Sequence, residues 1–121
     1  MSVTIYHNPR CSKSRQTLTL LRERGIEPEI IEYLTTPPSA EQLKAILEML
    51  GLPPRGLMRK KEAAYKQAGL DDPTLGDDAL MRAMIEHPIL IERPIVLAGG
   101  KAALGRPPET VLAILDSGTT G

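Results

Sequence analysis

The sequence contains no phenylalanine and no tryptophan, and only three tyrosines, so any core must be aliphatic. Hydrophobic residues make up 41% of the 121 positions, enough for one domain packed with Leu, Ile, Val, Met and Ala. A single cysteine, Cys11, excludes an intramolecular disulfide and with it a stapled secreted module. One cysteine and two scattered histidines match no metal site of known ligand spacing. An excess of charge of one sign is also missing, since 15 basic and 15 acidic side chains cancel. That balance speaks against a nucleic-acid binder that relies on bulk charge. No apolar run approaches the roughly 20 residues that span a bilayer. A strand pattern begins at once, with no basic-then-apolar leader. The expectation is a single cytoplasmic domain, 1–121, with no metal, no nucleic acid and no membrane partner.

What is present centres on His7-Asn8-Pro9-Arg10-Cys11-Ser12-Lys13-Ser14-Arg15. An apolar run, Val3 to Tyr6, precedes it, and a helical pattern from Ser14 to Arg24 follows. Cys11 therefore falls on a strand-to-helix turn, at or just before the first helical turn. The unsatisfied N–H groups of a helix start favour negative charge, and a thiolate carries one. His7, Arg10, Lys13 and Arg15 are expected to push in the same direction. A lone cysteine is more often a small buried hydrophobe. Here its neighbours Arg10, Ser12 and Lys13 are polar, and Pro9 marks a turn, so the position does not read as core.

The remaining elements follow from periodicity and punctuation. Glu29 to Leu34 is rich in β-branched residues and completes a strand–helix–strand unit whose strands should be parallel. After Thr35-Thr36-Pro37-Pro38, Ser39 is an N-cap with Gln42 in capping-box position, for a helix stopped by Gly51. A basic stretch, Arg55 to Lys61, leads to a short helix, Glu62 to Ala68. A third helix is capped by Asp77 or Asp78 and ends near His87. Ile89 to Ile91 reads as an extended connection. Ile95 to Ala98 and Lys101 to Leu104 form a hairpin across Gly99-Gly100. Glu109 to Leu115 is the last helix, followed by a polar, glycine-rich tail from Asp116. The fold class is α/β: a thioredoxin-like four-stranded mixed sheet with a helical insertion, 39–87, between its βαβ and ββα halves. In that layout a cis-proline precedes the third strand beside the reactive thiol, and Pro94 holds the position.

Several separated motifs then coincide: I-Y-H-N-P-x-C, Y-L-x-x-P-P-S at Tyr33 to Ser39, L-M-R-K at Leu57 to Lys60, H-P-I-L-I-E-R-P-I-V at His87 to Val96, and R-P-P-E at Arg106 to Glu109. Over nearly its whole length the sequence closely resembles the glutaredoxin-linked arsenate reductase (ArsC) family. The resemblance implies Cys11, Arg59, Arg93 and Arg106 as catalytic residues. It implies His7 as a group that helps lower the thiol pKa, and Ser14 and Arg15 as loop positions touching thiolate or oxyanion. It further implies arsenate as substrate, glutathione as co-substrate, glutaredoxin as protein partner and no bound cofactor. The loop C-S-K-S-R carries a lysine where the best-characterised arsenate reductases have a smaller residue. Two other readings stand beside this one: a glutathione-dependent thiol oxidoreductase of another substrate, and an Spx-like regulator that binds RNA polymerase. The second typically uses a C-x-x-C switch, and Ser14 occupies the position of its second cysteine. A low-molecular-weight phosphatase site needs arginine six positions after the cysteine, and Thr17 stands there.

Overall fold

The computed structural model describes residues 2–119. Two compact units emerge from their contacts: one holds the chain up to Thr36 and again from Arg93 onward, the other is Pro37–Glu92.

The first unit is built on a four-stranded sheet. Strand β1 (Val3–His7) lies beside β2 (Glu29–Glu32), β3 (Ile95–Ala98) and β4 (Lys101–Leu104), in the spatial order β2-β1-β3-β4. The β1–β2 pair is parallel, and β1–β3 and β3–β4 are antiparallel. This is the mixed thioredoxin-like sheet expected from the sequence. The parallel pair is joined by α1 (Ser12–Glu23), and α5 (Leu112–Thr119) follows β4. One face of the sheet, with Val3, Ile5, Val96, Ala98 and Ala103, packs on Leu21 of α1 and on Val111, Ile114 and Leu115. These nine side chains are all aliphatic, but the expectation of a wholly aliphatic core does not hold, since all three tyrosines, Tyr6, Tyr33 and Tyr65, are buried as well. Gly99 and Gly100 have φ of 56° and 76°, the left-handed pair that a two-residue hairpin loop demands.

Three expectations shift within this unit. Strand β2 stops at Glu32, not Leu34, because its pairing partner β1 ends at His7, opposite Glu32. The chain then turns, with the N–H groups of Thr35 and Thr36 both donating to the Glu32 carbonyl. Helix α1 starts two residues earlier than the apolar spacing indicates. Its buried stripe is Ser14, Thr17 and Leu21, so the first two inward positions carry hydroxyls and are invisible to a hydrophobic count. The last helix begins as a 3-10 turn, Pro108–Val111, and continues as α5 beyond Leu115 to Thr119. The rest of the tail, residues 120 and 121, lies outside the described residues.

The second unit is helical: α2 (Ala40–Leu50), a 3-10 turn at Pro54–Leu57, α3 (Ala63–Gln67), α4 (Asp77–Glu86) and a 3-10 turn at Pro88–Leu90. Helix α2 carries the expected capping box. Ser39 Oγ accepts from the Gln42 N–H at 3.1 Å, and Gln42 Oε1 accepts from the Ser39 N–H at 2.9 Å. Gly51 closes it at φ 69°. Helices α2 and α4 pack together, with Leu43, Ile46, Leu47, Leu80 and Met84 buried. The cap of α4 is Gly76, and Asp77 and Asp78 fall in its first turn, where the helix dipole favours them. The stretch expected to be extended, Ile89 to Ile91, is mostly 3-10 because Pro88 at the first helical position presets that turn. Ile91 alone forms a bridge, to Met58. Among the described residues no helix is long and apolar enough to cross a membrane.

Candidate active site

Cys11 occupies the N-cap of α1, with φ −93° and ψ 124°. Its own N–H donates to the Asn8 carbonyl at 3.0 Å, closing the turn, and its carbonyl accepts the first helical bond from Arg15 at 3.0 Å. The turn is held from inside. Buried Asn8 accepts from the Arg10 N–H through Oδ1, and donates its own N–H to Ser14 Oγ, each at 3.0 Å. Ser14 Oγ lies 2.6 Å from His7 Nδ1. Both partners are buried at the end of β1 and the start of α1. Burial lowers the His7 pKa and keeps the ring neutral; Glu32 opposes this and Arg22 and Arg15 add to it. Since Ser14 Oγ already accepts from Asn8, its hydroxyl proton is available to donate to the ring.

This scaffold presents an unusual helix start. The first turn of α1 has no acidic residue and carries Lys13 and Arg15, against the sign that stabilises a helix N-terminus. Such an end is suited to hold an anion. The Cys11 sulfur is half-buried there. Burial pushes the thiol pKa up, but the Ser14 N–H, the Arg93 guanidinium by hydrogen bond and by charge, and the Lys13 N–H all push it down. The net result lies below the ordinary thiol value. The sequence leads one to expect the N–H groups of the helix start as lowering groups, helped by the side chains of His7, Arg10, Lys13 and Arg15. In the structure the lowering comes from two backbone N–H groups and from Arg93, which is distant in sequence. Arg15 instead donates to the Pro9 carbonyl at 3.0 Å and braces the loop. Ser14 reaches the sulfur through its backbone, while its hydroxyl is engaged with Asn8 and His7.

Arg93 and Pro94 lead into β3, and Arg106 and Pro107 leave β4. Both X–Pro bonds, Arg93–Pro94 and Arg106–Pro107, are cis. The sheet ladder continues one step past Leu104, with the Gly105 N–H donating to the Pro94 carbonyl at 2.9 Å. Arg106 Nη1 donates to the Arg93 carbonyl at 3.0 Å, so the second arginine sits at the backbone of the first. Cys11, Arg93, Pro94, Arg106, Ser14 and His7 are thus linked in one network of the first unit. Arg59 belongs to the second unit. There its N–H donates to the Leu90 carbonyl at 2.7 Å, and its guanidinium pairs with Glu62 at 3.2 Å and Glu92 at 2.9 Å. Asn8 and Thr17 are the buried polar residues of the loop and helix that sequence reasoning passes over. An Asn two before Arg10 in a turn is a recognisable signal; a hydroxyl on an inward helix face is not.

A groove of about 450 Å³ runs beside the loop, lined by Ser12, Arg15, Gln16 and Thr19 and by Pro108 and Glu109. Cys11 is not in its wall.

The chain is similar to known proteins over nearly all its length. It is 58% identical to the arsenate reductase of Neisseria meningitidis serogroup A, across 93% of this chain and 97% of the relative. It is 56% identical to the uncharacterized protein YfgD of Escherichia coli K12, across 93% and 96% of the two. Among solved structures, the arsenate reductase from Vibrio cholerae superposes with a TM-score of 0.92 at 59% identity, covering 94% of this chain and 98% of that one. The model of the ArsC family matches residues 6–114, which include the cysteine loop and both arginine–proline turns. A cysteine at a helix N-cap, held by an arginine that precedes a proline, is therefore set in a chain that belongs to the ArsC family.

Proposed function

We propose that this protein is an arsenate reductase in which Cys11 is the nucleophile. The observation that carries the reading is the sulfur at the α1 N-cap, stabilised as thiolate by Arg93 and by the N–H groups of Lys13 and Ser14. Relatives at 58% and 53% identity that are named arsenate reductases support the substrate.

Arsenate near neutral pH is a tetrahedral dianion, so an anionic sulfur approaches it only where its charge is offset. Arg93 and Arg106 offer forked cationic donors for that purpose, and the turn adds N–H groups. The resemblance also implies Arg59 as a catalytic residue; its guanidinium is paired with Glu62 and Glu92. The Cys11 sulfur bonds to arsenic as an arsenic–oxygen bond breaks; the oxygen leaves as hydroxide, which takes a proton from solvent to become water, giving a thiol–arsenate adduct. Glutathione supplies the second thiol. The two sulfurs each give up one electron, arsenic gains two, and the products are arsenite and a mixed disulfide on Cys11. Glutaredoxin then takes the glutathionyl group by thiol–disulfide exchange and returns Cys11 to the thiol. With one cysteine in the chain, the second thiol has to come from another molecule. We read the chain as a single domain in which 39–87 is inserted between the two halves of the sheet.

The test is arsenate reduction with glutathione and glutaredoxin, comparing the parent with Cys11→Ser. Turnover by the parent and none by the variant is expected. Full activity in Cys11→Ser would remove the nucleophile assignment. A parent that is inactive on arsenate while its thiol alkylates readily at low pH would overturn the substrate and leave the thiol chemistry standing.

A further inference from the structure

Gly105 is buried between β4 and Arg106. It is not among the glycines with positive φ, so its backbone is one that any residue adopts. What singles it out is space. A Cβ built there would overlap Thr17 Oγ1, lie 3.2 Å from Thr17 Cγ2 and lie 2.7 Å from Pro94 Cγ. Neither neighbour has slack. Thr17 is fully buried in α1, and its hydroxyl donates to the Lys13 carbonyl at 2.8 Å. Pro94 is a buried ring, and its carbonyl is tied to the Gly105 N–H itself. Three segments therefore meet with no room for a methyl group: α1 one turn after Ser14, the Arg93–Pro94 turn, and the Gly105–Arg106 turn.

We infer that Gly105 is a positioning residue, whose missing side chain lets Arg93–Pro94 seat against Thr17 of α1 so that the Arg93 guanidinium reaches the Cys11 sulfur. An added methyl forces α1 and the Arg93–Pro94 turn apart. Arg93 moves off the sulfur, and Arg106, bonded to the Arg93 carbonyl, moves with it. The inference rests on Cys11 being the reactive thiol. Its readout is alkylation of that thiol, which needs no arsenate, so it stands or falls apart from the substrate.

The experiment measures the iodoacetamide alkylation rate against pH for the intact protein and for Gly105→Ala, Arg93→Met and the double variant, with circular dichroism to confirm folding. An opposite charge removed from within a few ångströms shifts a pKa by roughly one to three units. Gly105→Ala is expected to raise the alkylation midpoint by about one unit, about a tenfold slower reaction below the midpoint. In the Arg93→Met background the same substitution should add nothing, because the guanidinium it displaces is gone. Adding Thr17→Ala to Gly105→Ala should recover part of the shift by opening the α1 side. If Gly105→Ala does not fold, Thr17→Ala/Gly105→Ala compared with Thr17→Ala reads the same displacement. A folded Gly105→Ala with the parent's profile would overturn the inference. So would a shift that adds in full on top of Arg93→Met, which would mean the glycine acts on the thiol by some route other than Arg93.

Discussion

At Cys11 two effects oppose each other, and one of the groups on the lowering side, Arg93, lies 82 positions away along the chain. Burial disfavours the thiolate; the Ser14 and Lys13 N–H groups and the Arg93 guanidinium favour it and prevail. The two backbone donors come with the helix start and survive the loss of the Arg93 side chain. The guanidinium does not. Arg93→Ala should therefore move the midpoint of thiol reactivity toward the ordinary value of about 8.5. Arsenate turnover should fall, by about tenfold or more if one forked donor to the oxyanion is lost with it. If the head serves only the sulfur, the melting temperature should drop little. A large drop, or an unchanged pH profile, would place Arg93 in the scaffold instead. His7 acts at one remove: neutral and buried, it fixes Ser14, and Ser14 in turn fixes the N–H that meets the sulfur.

Among the elements, α1 and α2 show opposite solutions at their starts. Helix α2 is built for stability, with a reciprocal capping box and Glu41 in its first turn. Helix α1 is capped by a cysteine and carries cations and no acidic residue in its first turn. The stabilising anion that α1 lacks among its side chains is the one its N-terminus can take as thiolate or oxyanion. Ser39→Ala should cost about 1 kcal/mol in urea unfolding, since it strips one half of the box and leaves the Gln42 N–H to water. It should leave Cys11 alkylation unchanged. Most elements were legible in the sequence because their signals are local: Ser39 and Gln42, Gly51, the Gly99-Gly100 pair, the β-branched run at Ile30 and Ile31. Those that were not depend on neighbours. Strand β2 ends where β1 ends, and the inward stripe of α1 opens with Ser14 and Thr17, which a hydrophobic pattern cannot distinguish from a solvated face.

For the molecule as a whole, acid should be destabilising in two windows. The folded-state pKa of Cys11 is depressed, so the stability it contributes is present above the ordinary thiol value and is lost as pH falls through the folded value. The folded-state pKa of His7 is also depressed. Its contribution is present above the ordinary histidine value of about 6.5 and is lost as pH falls through the lowered one. Unfolding free energies measured in urea at successive pH values should decline from about pH 8.5 downward, then again below about pH 6.5. Cys11→Ser should abolish the upper decline and keep the lower. A flat profile in the parent would show that neither shift persists in solution.

The sequence by itself determined the parts and their order: one thiol at a strand-to-helix turn, a mainly aliphatic core, a parallel unit, a helical stretch, a glycine hairpin, and arginines ahead of prolines. Each of these is written in residues a few positions apart, where propensity and capping act. Only the tertiary structure decided which groups touch the sulfur. It put Arg93 beside the thiol, turned Arg15 back onto the loop, gave Ser14 to His7, and left no space at Gly105. The contacts of Arg93 and Gly105 join segments far apart in the chain, and they exist only once the sheet brings the start of β3, the end of β4 and the first turn of α1 to the same place.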